Sequence, residues 1–165
     1  PRQLELRSDK DRRGERGAVV LLDRRGTGGG LAPAAGMMRM LESRGIVHAP
    51  VSTAWRLLTD THAWPDWGPS VRAVECATRI IGPDSHGRVK TPLGPWLPFQ
   101  ITDWEPETSW SWTVAGIPAT GHRVMATSSD TCVITFTVPR WAPFYLPICR
   151  TALRRLDRLA QGGPN

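Results

Sequence analysis

The sequence predicts an α+β domain in which a curved antiparallel sheet of about six to seven strands wraps one long C-terminal helix. Three observations carry this expectation. Short alternating segments follow one another between residues 71 and 138 with Gly, Pro or Asp turns between them, the spacing of hairpins. A helical period closes the chain, with Cys149, Ala152, Leu153, Leu156, Leu159 and Ala160 on one face and Arg150, Arg154, Arg155 and Arg158 on the others. All the aromatic residues, eight of them tryptophan, lie between Trp55 and Tyr145, so the large apolar side chains are concentrated in one stretch.

Residues 1–36 offer charged, Gly and small side chains around a single short apolar patch, Ala18-Val19-Val20-Leu21-Leu22. They cannot bury enough surface to offset the entropy of ordering. The segment reads as a disordered leader, or as translated upstream sequence before a start at Met37, Met38 or Met40. Gly26-Thr27-Gly28-Gly29-Gly30 lacks the Lys-Ser/Thr of a phosphate loop and completes no GxGxxG, so it reads as linker.

The ordered domain is expected over 40–161. A first strand runs through Ile46-Val47 and ends at Ala49-Pro50. Val51, Ala54, Trp55 and Leu58 then fall on one helical face, with Ser52 and Thr53 as candidate caps. A second short helical turn, broken by prolines, is expected within 59–69. Strands are expected at 71–78, 88–91, 99–105, 110–115, 120–127 and 131–138, with a Pro/Gly-rich loop at 92–98. The last strand alternates Cys132, Ile134, Phe136 and Val138 against Thr131, Val133, Thr135 and Thr137. Pro143 and Pro147 precede or kink the terminal helix. Gly162-Gly163-Pro164 stops that helix and leaves 162–165 as a flexible tail.

Composition excludes several functions. The net charge of +6 divides evenly about Met37, and no run of five like charges occurs, which argues against a nucleic-acid partner. Cys76, Cys132 and Cys149 show no metal-ligand spacing and read as buried, reduced thiols of a cytoplasmic protein. No signal peptide or integral membrane segment is visible. His48, His62, His86 and His122 form no metal-binding pair, and no cofactor is expected. A monomer or homodimer is expected.

The stretch Ile46-Val47-His48-Ala49-Pro50-Val51-Ser52-Thr53-Ala54-Trp55, with Leu57-Leu58-Thr59-Asp60 and Trp64-Pro65-Asp66-Trp67, resembles the opening of the polyketide-cyclase/dehydrase and lipid-transport proteins of the START-like (SRPBCC) superfamily. Gly87-Arg88-Val89 at the third strand, and Ile101-Thr102-Asp103-Trp104-Glu105-Pro106 leading into Trp110-Ser111-Trp112, are similar as well. The resemblance covers about 120 residues. It implies the helix-grip fold of birch-pollen-allergen-like proteins and a hydrophobic ligand held between sheet and helix.

Hydrolytic chemistry has no foothold. Asp84-Ser85-His86 are sequence neighbours and cannot converge on one atom as a triad does, and no GxSxG occurs. Asp103, Glu105 and Glu107 read as a solvated hairpin corner. The tryptophans outnumber what a core of this size needs, so some are expected to face a cavity. Trp110 and Trp112 share one strand face, and Ile134 and Phe136 share another. Trp96 and Phe99 on one side, and Trp141, Phe144 and Tyr145 on the other, frame the entrance. His122 is expected inward and Arg123 outward. The expected ligand-binding set is therefore Trp96, Phe99, Trp110, Trp112, His122, Ile134, Phe136 and Tyr145, with no catalytic residue assigned. The leading function is binding or transport of a lipid, isoprenoid or aromatic polyketide, with transient membrane contact at the entrance. The alternatives are a polyketide aromatase/cyclase and, less favoured, a protein-interaction module.

Overall fold

Backbone pairing organises the described residues into one seven-stranded sheet. The computed structural model describes residues 40–163, so the expected leader 1–36 and the end of the tail lie outside the described residues. Strand β1 (Leu41–Val47) is followed by helices α1 (Val51–Thr59) and α2 (Trp64–Trp67). Then come β2 (Ala73–Cys76), β3 (His86–Lys90), β4 (Trp96–Glu105), β5 (Ser109–Val114), β6 (Ile117–Ala126) and β7 (Cys132–Val138). A 3-10 turn at Pro143–Tyr145 leads into α3 (Leu146–Ala160). The order β1-β7-β6-β5-β4-β3-β2 is antiparallel throughout. Strands β2 to β7 thus form a meander, and β1 closes onto its far end.

The sheet curves because its central ladders slip. Register shifts occur between Ile101 and Asp103 and again between Ser111 and Thr113, and such bulges bend a strand and increase its twist. The second shift lies at Trp112, in the concave wall. The hollow so formed receives α3, which buries Cys149, Ala152, Leu153 and Leu156 and exposes Arg150, Arg154 and Arg158. Close approach needs a glycine: a Cβ on Gly45 of β1 would meet the Leu153 Cβ at 3.0 Å. Asp157 of α3 ties the end of β1 by accepting from the His48 backbone at 2.8 Å.

Three expectations need correction. Ser52 and Thr53 do not cap α1, because Pro50, held extended at ψ 149°, is itself the residue before the first turn and no side chain bonds there. The loop expected at 92–98 is partly strand, since β4 already pairs from Trp96 with Lys90. Cys132 and Cys149 are buried, whereas Cys76 is only half-buried.

The helical segment after β1 is anchored by indole groups. The last carbonyls of a helix lack partners within it, and here Trp64 Nε1 donates to the Leu58 carbonyl at 2.9 Å and Trp67 Nε1 to that of Leu57 at 3.0 Å. Both rings of α2 are thereby turned under α1 and into the hollow. The following turn is clamped by Asp60, which accepts a bidentate pair from Arg79 with contacts from 2.7 to 3.1 Å. That guanidinium holds the Asp60 carboxyl below its ordinary pKa.

Candidate ligand-binding site

Two chambers lie in the hollow, one packed and one open. The inner chamber has a volume of about 30 Å³ and is walled by Trp64, Trp67, Trp110, Trp112, His122 and Phe136 against Cys149 and Ala152 of α3. Its rings pack on one another. Trp64 stacks on Trp110 with centroids 5.6 Å apart, and Trp110 stacks on His122 at 3.9 Å. His122 meets Phe136 edge-on at 4.8 Å, and Trp112 meets Trp64 edge-on at 5.3 Å.

The outer pocket holds about 330 Å³ and is lined by Val71, Val89, Leu97, Val114, Ala119 and Val138, with Trp141, Phe144 and Tyr145 along one side. Among the described residues, no charged side chain lines it. Trp141 and Phe144 are 57% and 69% exposed, so its rim is apolar and open to solvent. Ser70, Val71, Trp112, Thr120 and Tyr145 belong to both chambers and form the neck between them. The neck is held by a hydrogen bond from the Tyr145 hydroxyl to Ser70 Oγ, which joins the turn before α3 to the loop after α2.

Polar groups in this region are few. Trp112 Nε1 donates to Thr120 Oγ1 at 3.2 Å, and Thr120 Oγ1 lies 3.2 Å from His122 Nε2. Burial lowers the His122 pKa to about 3, with the Trp110 backbone acting weakly the other way, so the imidazole is neutral at physiological pH. Burial likewise raises the Tyr145 phenol and pushes the Cys149 thiol up to about 11. The site is an apolar hollow with uncharged polar groups at its neck and floor.

The sequence profile of the family described as polyketide cyclase / dehydrase and lipid transport matches residues 38–161. The chain belongs to this family. Solved structures agree on the fold. The protein XoxI of Bacillus cereus is 12% identical, with a TM-score of 0.59 over 74% of this chain and 95% of that one. A protein of Nitrosomonas europaea is 19% identical, with a TM-score of 0.56 over 74% and 94%. Truncated norcoclaurine synthase of Thalictrum flavum is 14% identical, with a TM-score of 0.54 over 76% and 95%. No curated protein matches the chain in sequence. Members of this helix-grip fold share the sheet and long helix described above, and among the described residues no helix is long and apolar enough to cross a membrane.

Within this family member the expected site residues part company. Trp110, Trp112, His122 and Phe136 come together around the inner chamber, and Trp112 and Tyr145 also face the outer pocket. His122 is buried and Arg123 exposed, in line with strand alternation. Ile134 is fully buried in the core and lines neither chamber. Phe99 is buried against Trp64 at 5.5 Å and Trp112 at 5.7 Å and lines neither chamber, bordering instead a separate cleft with His86, Gln100 and Thr113. Trp96 lies on the β3–β4 ladder with the Arg88 guanidinium and Lys90 ammonium 5.7 and 5.8 Å from its ring. The aliphatic wall of the outer pocket and the neck residue Ser70 were not singled out by the sequence. Val114 and Val138 continue the inward alternation of Trp112 and Phe136, which is the signal that marks them. Trp64 and Trp67 carry a weaker one, because a four-residue helix shows no period.

Proposed function

We propose that this domain binds or carries a hydrophobic small molecule, a lipid, isoprenoid or aromatic polyketide, with the ligand body in the outer pocket. One observation carries the reading: about 330 Å³ of uncharged, apolar space stays open after the tryptophans have packed, in the size range of small-molecule sites. Norcoclaurine synthase, which has this fold, is known in complex with dopamine and hydroxybenzaldehyde, which supports small aromatic molecules as occupants. The residues assigned to binding are Trp112 and Tyr145 at the neck and Trp110, His122 and Phe136 on the floor. The proposed setting is the cytoplasm, as a monomer or homodimer, with Trp141 and Phe144 at the rim available for passing contact with a membrane.

The cyclase reading has less support in these residues. A general base works best with a pKa near the working pH, and His122, at about 3, is far below it. Tyr145, pushed upward by burial, is a poor acid as well. Titration with fatty acids, isoprenoids and polycyclic aromatics should perturb tryptophan emission saturably, because Trp112 and Trp141 line the pocket. Native mass spectrometry of the protein from its host should retain a ligand. Absence of saturable binding across all three classes overturns the proposal, and turnover of a poly-β-ketone that disappears in Tyr145→Phe replaces it with the cyclase.

A further inference from the structure

Hydrogen-bond bookkeeping on the chamber floor narrows the ligand. Trp112 Nε1 can only donate, and its bond to Thr120 Oγ1 uses the hydroxyl as acceptor. The hydroxyl proton is then free for His122 Nε2, 3.2 Å away. If Nε2 accepts that proton, the ring's own proton lies on Nδ1, and this tautomer is part of the proposal below. His122 Nδ1 and Trp110 Nε1 are enclosed and neither has a well-formed hydrogen bond, in residues 4% and 1% exposed. Native structures pair nearly all such groups. Trp110 Nε1, which has no acceptor, and His122 Nδ1, which has only a weak contact with the Trp110 backbone, thus belong to side chains that wall a chamber of about 30 Å³, room for one water or for the oxygen-bearing tip of a larger molecule.

We propose that the ligand presents a neutral hydrogen-bond acceptor, the carbonyl oxygen of a ketone, aldehyde or ester, to the donors of His122 and Trp110 while its apolar body fills the outer pocket. The inference rests on the ligand-binding reading above and sharpens it. Ser70, Thr120 and Tyr145 lie along the path between the chambers. A carboxylate suits the floor poorly, because among the described residues no Lys or Arg lines either chamber and an unpaired buried charge is strongly disfavoured. A pure hydrocarbon fits the outer walls and leaves the Trp110 Nε1 donor unpaired.

The full chain is titrated by calorimetry with acetylnaphthalene, isopropylnaphthalene and naphthoate, which share one shape and differ in the terminal group. The ketone should bind about tenfold or more tighter than the hydrocarbon, the effect of satisfying a buried donor, and naphthoate should bind more weakly than the ketone. In His122→Phe the preference for the ketone over the hydrocarbon should largely disappear. Nitrogen-15 correlation spectra should show His122 protonated at Nδ1 and shifted by the ketone alone. Equal affinity for ketone and hydrocarbon, tightest binding of naphthoate, or a proton on Nε2 overturns this proposal and leaves the binding function standing. Failure of all three compounds to bind overturns this proposal, and the binding function then stands or falls on the fatty-acid and isoprenoid titrations.

Discussion

The two ends of the hollow are built from the same sheet and differ in what fills them. At the inner end Trp64, Trp110, His122 and Phe136 stack and abut until about 30 Å³ remains. At the outer end Val89, Val114, Ala119 and Val138 are too short to meet across the gap, and about 330 Å³ stays open. An abundance of tryptophan therefore marks the packed half of this domain, and the capacity for a ligand comes from small side chains opposite one another. Rings that find ring partners lose their role as pocket lining, while β-branched walls leave room.

The strongest challenge to this contrast is to truncate a ring on the packed side. Trp110→Ala should cost about 3 to 5 kcal/mol in denaturant unfolding, because Trp110 is 1% exposed and touches Trp64, Trp112 and His122. Val114→Ala, on the wall of the open pocket, should cost clearly less. Equal losses would mean that the two ends are packed alike.

His122 makes the second challenge. Its folded-state pKa, about 3, lies below the ordinary value of about 6.5, so between these limits the unfolded chain holds the extra proton. Stability should accordingly be undiminished above about pH 6.5 and should fall with acid by up to about 1.4 kcal/mol per pH unit. His122→Phe should flatten that limb of the pH–stability curve. An unchanged slope would show that the imidazole takes up its proton in place and that the inner end is wet.

Filling the open end is the third. Ala119→Phe should weaken hydrophobic ligands by about tenfold or more, since a ring there takes up the space the ligand needs, while the melting temperature moves little. A large drop in melting temperature would reveal a tightly closed pocket. The smallest effect concerns the neck. Tyr145→Phe removes the bond to Ser70 and should cost about 0.5 to 1.5 kcal/mol, with faster ligand exchange by stopped-flow. A loss of several kcal/mol would make Tyr145 part of the packed end.

Much of this was legible in the residue order. Strand alternation alone puts Trp110, Trp112, His122, Ile134 and Phe136 on inward faces, and the helical period of Cys149, Ala152, Leu153 and Leu156 identifies the stripe that the sheet must cover, because a face either meets water or does not. Such local rules carry no information on distance across the hollow. Only tertiary structure decided that Ile134 sits in solid core, that Phe99 packs on Trp64, and that Trp96 lies against Arg88 and Lys90 at 5.7 and 5.8 Å. It also brought Tyr145 to Ser70 across 75 residues. The amino-acid order determined which side chains point inward. Where they meet and where they leave a gap was decided by two bulges in the central strands and by the α2 indoles that cap α1, because cavity volume depends on the curvature of the whole sheet.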